Sequence, residues 1–151
     1  VVFVTGSLGG SILGKHLRFE PRLAEGAWLA RNFAPTAMID VSDGLGVDAA
    51  HIADESGVGI SVDAAALPVS PAARRLSAAD ARSPLSHAIS DGEDFELLFT
   101  IQKYRAAGLL RAWPFTTPLT AIGTVHKGRG VTLLTESGRK ERIDSEGYQH
   151  C

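Results

Sequence analysis

The sequence contains a single cysteine, Cys151, which is its last residue. One thiol cannot form an internal disulfide, and it excludes metal sites built on pairs of cysteines. The absence of disulfides fits a reducing compartment, so we expect a cytoplasmic protein. Because the first residue is Val1 rather than methionine and the chain opens directly on a predicted strand, we also expect a piece of a longer polypeptide.

Long apolar runs and a surplus of positive charge are missing as well. No apolar stretch approaches the roughly 20 residues of a membrane-spanning helix, and the N-terminus lacks the basic flank of a signal peptide. The 15 Lys and Arg residues stand against 17 Asp and Glu residues, for a formal net charge of -2. The charges are interspersed, which argues against a membrane or a nucleic acid as partner.

The length and composition predict one domain with a substantial core. The chain has 151 residues, of which 44% are hydrophobic, so residues 1–151 suffice for one globular unit but hardly for two. Predicted strands alternate with predicted helices, and two late strands flank Glu136-Ser137-Gly138 as a hairpin. We predict an α/β (α+β) fold, a layered domain in which helices flank a β-sheet that the late hairpin makes mixed.

The stretch that organises the chain is Ala37 to Gly44, a short apolar strand that ends in a polar cluster. Asp40 and Asp43 can direct carboxylate oxygens at one hard cation, and Mg²⁺ is commonly held by one or two carboxylates plus the phosphates it accompanies. Ser42 lies between them and can donate to a phosphate. The alternative is that Ser42 or Asp43 is the N-cap of the following helix.

A second acidic stretch, Ser90 to Thr100, is a tight turn that feeds a strongly apolar strand. It carries four carboxylates, Asp91, Glu93, Asp94 and Glu96, which repel one another unless a cation or hydrogen-bond donors lie among them. The alternative is an ordinary turn, since Asp and Gly are common turn formers.

A glycine-rich loop follows the first predicted strand. Gly9 to Lys15 matches the G-x-x-x-x-G-K pattern of a phosphate-binding P-loop, but His16 occupies the position of the Mg²⁺-binding Ser or Thr. The same loop imitates a dinucleotide-binding fingerprint, except that Ile12 replaces a required glycine. Both matches are partial, and a flexible entry loop is the simpler interpretation.

Several separated motifs together resemble one family, and they occur in its order along essentially the whole chain. The chain is similar to the C-terminal domain of thiamine-monophosphate kinases, which belong to the aminoimidazole ribonucleotide synthetase-like superfamily. The motifs are Val4-Thr5-Gly6-Ser7-Leu8-Gly9, Glu20-Pro21-Arg22, Ile39-Asp40-Val41-Ser42-Asp43-Gly44, Ser56-Gly57-Val58-Gly59, Asp91-Gly92-Glu93-Asp94-Phe95-Glu96-Leu97-Leu98-Phe99-Thr100 and Gly147-Tyr148-Gln149-His150.

The resemblance implies an ATP- and Mg²⁺-dependent kinase that phosphorylates thiamine monophosphate to thiamine diphosphate. It assigns Asp40 and Asp43 to Mg²⁺, Ser42 to ATP, and Glu93 and Tyr148 to the thiamine phosphate, with no residue assigned to covalent or acid–base catalysis. In the family, an N-terminal domain carries much of the ATP and Mg²⁺ site and pairs two subunits. The resemblance therefore implies a homodimeric parent protein, and a chain that is inactive by itself.

Two departures from the family pattern keep other interpretations open. Gly10 stands where the family usually has an aspartate, and Asp91 replaces a common glycine. The alternatives are a P-loop NTPase that uses Lys15, a relative in hydrogenase maturation or selenophosphate synthesis, and a non-catalytic interaction domain.

Overall fold

The computed structural model describes residues 1–143. Within that range the chain forms seven strands and five α-helices. The strands are β1 (Val2–Thr5), β2 (Ala37–Asp40), β3 (Gly59–Asp63), β4 (Leu97–Thr100), β5 (Leu119–His126), β6 (Gly130–Leu134) and β7 (Lys140–Ile143). The helices are α1 (Leu23–Asn32), α2 (Leu45–Ser56), α3 (Pro71–Ser77), α4 (Pro84–Ser90) and α5 (Lys103–Ala112).

All seven strands belong to one sheet with the order β2-β4-β1-β5-β3-β6-β7. The pairing of β3 with β6 is parallel, and the other five pairings are antiparallel. The predicted mixed sheet flanked by helices is therefore confirmed. The predicted late hairpin, β6 and β7, is present, but its pairing is antiparallel. The sheet is mixed because β3 pairs with β6 in parallel, and no local sequence pattern predicts that pairing.

Apolar side chains are buried on both faces of the sheet. Along β1, Val2 and Val4 pack into a core with residues of α2 and α4, whereas Phe3 points to a second core beside α1 and α5. This alternation follows from the two-residue period of a strand. The ring of Phe3 stacks on that of Phe99 with centroids 5.6 Å apart. The helices thus form two layers around the sheet.

Capping chemistry explains where several helices begin and end. Ser70 and Ser83 precede α3 and α4, and each hydroxyl accepts a hydrogen bond from a backbone N–H of the first turn. Gly57 ends α2 in the left-handed conformation with φ of 62°, which glycine adopts without steric cost. Within residues 1–143, no helix is long and apolar enough to cross a bilayer.

Candidate functional site

Strand pairing brings the two acidic stretches together. The antiparallel register of β2 and β4 sets Asp40 opposite Leu97, so the loop after β2 runs alongside the turn before β4. Three backbone hydrogen bonds of 2.8 Å join them. They run from Val41 N to Glu96 O, from Phe95 N to Val41 O and from Glu93 N to Ser42 O.

The loop and the turn approach each other closely. A Cβ atom on Gly92 would lie 2.6 Å from the carbonyl oxygen of Ser42, so only glycine fits there without a shift. Glu93 and Phe95 have φ of 61° and 51°, a left-handed conformation that costs a non-glycine residue roughly 1–3 kcal/mol. The surrounding hydrogen bonds therefore hold the turn in a conformation that it would not adopt alone.

Three carboxylates at this junction point to solvent. Asp40, Asp43 and Glu93 are all exposed, and within residues 1–143 none of their side chains forms a hydrogen bond or an ion pair. Ser42 between them is half-buried. Adjacent negative charges without protein partners favour a bound cation or a ligand that donates hydrogen bonds. The structure thus brings together four of the five residues singled out from the sequence, while the fifth, Tyr148, lies outside the described residues.

The alternative that Ser42 or Asp43 caps the next helix is wrong. The N-cap of α2 is Gly44, and neither side chain accepts a hydrogen bond from that helix. Asp48, one turn into α2, instead folds back toward the loop. Its Oδ2 accepts from the backbone N–H groups of Ser42 and Asp43 at 3.0 and 3.1 Å.

Asp48 is a site residue that the sequence analysis missed. It is 1% exposed, burial raises the pKa of its carboxyl group, and its Oδ1 has no hydrogen-bond partner within the described residues. One ligand atom each from Asp43, Asp48 and His51 lie within 4.8 Å of one another. Among the described residues, these three side chains form the group that could help to hold a metal ion. The signal in the sequence is an aspartate one turn after a Ser-Asp-Gly turn.

An ionic network around the buried carboxylate of Glu96 holds the end of the acidic turn. Glu96 is 1% exposed and accepts hydrogen bonds from Thr5 Oγ1, Lys15 Nζ and Arg22 Nε, each at 2.8 Å. Burial alone would raise the pKa of Glu96, but the bonds from Arg22 and Lys15 outweigh it and hold that pKa below its ordinary value. Glu96 is therefore an ionised residue of the scaffold.

The negative charge of Asp94, two residues earlier, is less well compensated by hydrogen-bond donors and cations. Its Oδ2 accepts from Gly9 N at 2.7 Å, while its Oδ1 has no hydrogen-bond partner in residues 1–143 and lies 3.9 Å from Lys15 Nζ. Burial raises the pKa of Asp94 to about 6. The carboxyl group of Asp94 therefore titrates at about pH 6.

The structure does not support a P-loop. A P-loop joins a strand to an α-helix whose N-terminus faces the phosphates, but residues 11–17 form only two short 3₁₀ turns. Lys15 donates to Glu96 and to the carbonyl oxygen of Ser7. The lysine that would bind phosphate is instead an ion-pair partner of the scaffold.

The two departures from the family pattern contact each other. Gly10 N donates to Asp91 Oδ2 at 2.9 Å. Gly10 has φ of 75°, and a Cβ atom there would lie 2.5 Å from Ala73 N, so an aspartate at position 10 does not fit this backbone. Position 91 supplies a carboxylate at the same junction. A cleft of about 360 Å³ opens beside it and is lined in part by Ser11 and Glu93.

Comparisons with known proteins found similar sequences and similar structures. No protein-family model matches the chain. A thiamine-monophosphate kinase of Rhodopirellula baltica is 39% identical over 149 residues, which are 99% of this chain and 47% of that protein. The solved structure of AaThiL complexed with AMPPCP and TMP has a TM-score of 0.77 and 29% identity, covering 99% of this chain and 50% of that one. HypE of E. coli, a hydrogenase maturation protein, has a TM-score of 0.71 and 25% identity, covering 95% of this chain and 48% of its own.

The fold with its acidic loop and turn therefore defines a domain of the class that ThiL and HypE proteins share. The chain spans about half the length of the curated relatives it matches. The sequence identity of 34–39% over 99% of the chain indicates a relationship to these kinases beyond a shared fold. The chain is similar over 99% of its length to proteins named thiamine-monophosphate kinase, which confirms the resemblance predicted from its motifs.

Proposed function

We propose that the chain is the C-terminal half of an enzyme that transfers the γ-phosphoryl group of ATP to thiamine monophosphate, forming thiamine diphosphate. The observation that carries the proposal is the junction of the loop and the acidic turn. Its three backbone hydrogen bonds join the loop that carries Ser42 and Asp43, directly after Asp40, to the turn that carries Glu93. Residues for the nucleotide and for the acceptor thus occur on two adjoining segments, as transfer between two substrates requires.

The donor set suits Mg²⁺ carried by a nucleotide. Mg²⁺ prefers oxygen ligands and keeps phosphate oxygens and waters in its shell, so a protein needs to offer only one or two carboxylates. The exposed side chains of Asp40 and Asp43 would be these ligands, and Ser42 would donate its hydroxyl proton to a phosphate oxygen. When bound, the cation would neutralise the negative charge of the phosphates during transfer.

The acceptor side of the site is Glu93 and, outside the described residues, Tyr148. A carboxylate such as Glu93 accepts a hydrogen bond from the amino group of the aminopyrimidine, and an aromatic face such as Tyr148 attracts the cationic thiazolium ring. Phosphoryl transfer needs positioning and charge neutralisation more than covalent help from the protein. A site built mainly on carboxylates fits that chemistry. The AMPPCP and TMP in the AaThiL complex are the matching pair of an ATP analogue and this acceptor.

The remaining half of the site would come from the N-terminal half of the polypeptide. The relatives are about twice as long as this chain. A run of large apolar side chains is exposed on one segment, namely Ile12 (67%), Leu17 (76%) and Leu23 (77%). Exposed apolar surface of this kind marks an interface, and we assign it to the missing half. The parent protein would then be the active species, and pairing of two subunits stays a prediction.

A role in hydrogenase maturation is the second candidate, because the HypE fold is also similar. Glu93 distinguishes the two, since it is a thiamine contact only in the kinase.

Isothermal titration of the parent-length protein, or of this chain mixed with its missing half, tests the proposal. The titrant is thiamine monophosphate in the presence of Mg²⁺ and a non-hydrolysable ATP analogue. We expect saturable binding that Glu93→Ala weakens roughly 10- to 150-fold, because a hydrogen bond to a charged group contributes about 1.5–3 kcal/mol. Glu136→Ala is the control, since Glu136 is an exposed carboxylate in the turn between β6 and β7.

Two outcomes would contradict the proposal. If a folded two-domain sample binds no thiamine monophosphate, the substrate is wrong. If Glu93→Ala and Glu136→Ala bind equally well, the acceptor does not occupy this turn.

A further inference from the structure

His87 is a buried side chain for which the proposed reaction gives no role. It lies on α4 and is 2% exposed. Its Nδ1 is 2.9 Å from Asp91 Oδ2, and its Nε2 is 3.2 Å from Asp80 Oδ1. An ionised carboxylate only accepts hydrogen bonds, so both contacts are satisfied when both ring nitrogens carry a proton. The ring of His87 is thus enclosed between two carboxylates.

The Asp91 carboxylate gathers donors from three segments of the chain. Besides His87 Nδ1, it accepts from Gly10 N at 2.9 Å and from Arg82 NH1 at 3.1 Å. Arg82 is largely exposed, and exposed ion pairs contribute little. The buried His87 is therefore the side chain that fixes the carboxylate together with Gly10 N, and the bond to Gly10 attaches the end of α4 to the loop after β1.

Asp91 is also the first residue of the strained turn. Two positions later, Glu93 has φ of 61°, and its N–H donates to Ser42 O at 2.8 Å. The turn is thus fixed at its start by the Asp91 carboxylate and further along by backbone bonds to the loop after β2. A left-handed glutamate persists only where its surroundings compensate for the strain. Loss of the first attachment would leave Glu93 free to relax.

We propose that His87 is a positioning residue, which acts through Asp91 to hold the Glu93 carboxylate where the acceptor substrate binds. His87 itself contacts no substrate. The proposal rests on the proposed function, since it concerns the acceptor side of the same site. It assigns the effect to Nδ1, which faces Asp91, and not to Nε2, which faces Asp80, a residue whose side chain is 43% exposed.

Two substitutions separate the two ring nitrogens. The side-chain amide of asparagine ends near the position of Nδ1, whereas that of glutamine extends toward the position of Nε2. His87→Asn keeps a donor for Asp91 and loses the contact with Asp80, and His87→Gln does the reverse. Both remove the buried ring, so their costs in folding stability are similar and urea unfolding can verify this.

Steady-state kinetics of the parent-length kinase provide the readout. We expect His87→Gln to raise the KM for thiamine monophosphate about tenfold with kcat unchanged, because a binding contact of roughly 1–1.5 kcal/mol is misplaced in substrate and transition state alike. His87→Asn should stay within about threefold of the wild type, and the KM for ATP should change little in either. A purely structural role predicts the same kinetic change for both variants, which would overturn the proposal.

Asp91→Asn provides an independent variant. It keeps an acceptor for Gly10 N but removes the charge that pairs with His87, so it should raise the same KM about tenfold. Because both residues act through one contact, the double variant His87→Gln/Asp91→Asn should be no worse than either single variant. Full multiplication of the two effects would also overturn the proposal.

Hydrogen exchange distinguishes failure of this inference from failure of the proposed function. If the wild type does not phosphorylate thiamine monophosphate, the proposed function is wrong, but the contact of His87 with Asp91 still predicts a result in the unliganded protein. The Glu93 amide should exchange about tenfold faster in His87→Gln and within about threefold of the wild type in His87→Asn. Equal exchange in all three proteins would overturn the positioning role by itself.

Discussion

Replacement of Asp94 by asparagine should change how the stability of the protein depends on pH. Asparagine has the size of aspartate and keeps an oxygen acceptor for Gly9 N, but it cannot ionise. Asp94 is 1% exposed and its Oδ1 has no hydrogen-bond partner in residues 1–143, so its charge is poorly compensated in the folded protein.

The pKa of Asp94 gives the size and the sign of the effect. Burial raises that pKa from 3.8 to about 6 in the folded protein, and this difference corresponds to about 3 kcal/mol since one pKa unit equals 1.36 kcal/mol. Between about pH 4 and pH 6 the folded protein binds more protons at this site than the unfolded chain does. The free energy of unfolding due to Asp94 therefore falls as the pH rises through that window, by about 3 kcal/mol, and is constant above it.

Urea unfolding of the wild type and of Asp94→Asn, between about pH 4 and pH 7.5, measures this contribution as a difference. Glu96, whose pKa is lowered, contributes stability that is lost as the pH falls, but it is present in both proteins and largely cancels. Asp54→Asn, on the exposed side of α2, controls for the loss of one negative charge. If the difference between wild type and Asp94→Asn does not change over the window, the burial of an uncompensated Asp94 charge is refuted.

Two further predictions concern the backbone and the loop. Gly10→Ala should lower the free energy of unfolding by at least about 2 kcal/mol more than Gly57→Ala, because both have positive φ but only Gly10 would bring a Cβ atom 2.5 Å from Ala73 N; equal losses by thermal unfolding would argue against the clash. Asp48→Asn should weaken binding of the Mg²⁺–nucleotide complex by roughly tenfold in a calorimetric titration of the parent-length protein, because its charged acceptor orders the backbone at Ser42. Unchanged nucleotide affinity would make Asp48 a purely structural residue.

Local chemistry is what made much of the fold and site predictable from the sequence. The strand before Asp40 and the hairpin of β6 and β7 each depend on neighbours in the chain. The candidate residues were found in the same way, since polar clusters at the ends of apolar strands are visible without a structure. The family likeness added what each cluster would bind.

Long-range pairing was not predictable in this way. The parallel contact of β3 with β6 depends on the whole sheet order. On α1, Leu23 is 77% exposed while Glu25 is buried, the reverse of what their polarity suggests. Glu25 is buried because Thr117, 92 residues away, donates to its carboxylate at 2.7 Å. A buried carboxylate with a distant partner carries no signature in a helical pattern.

The acidic turn shows how the partners of a cluster decide its function. Four carboxylates lie between residues 91 and 96, and their repulsion suggests a bound cation when only the sequence is considered. In the fold, Asp91, Asp94 and Glu96 all accept hydrogen bonds from donors of the protein, and only Glu93 has no partner among the described residues. The repulsion is thus largely relieved by the scaffold itself. What remains for a ligand is one exposed carboxylate, which under the proposed function would accept a hydrogen bond from an amino group of the acceptor, whereas Asp40 and Asp43 would hold the cation.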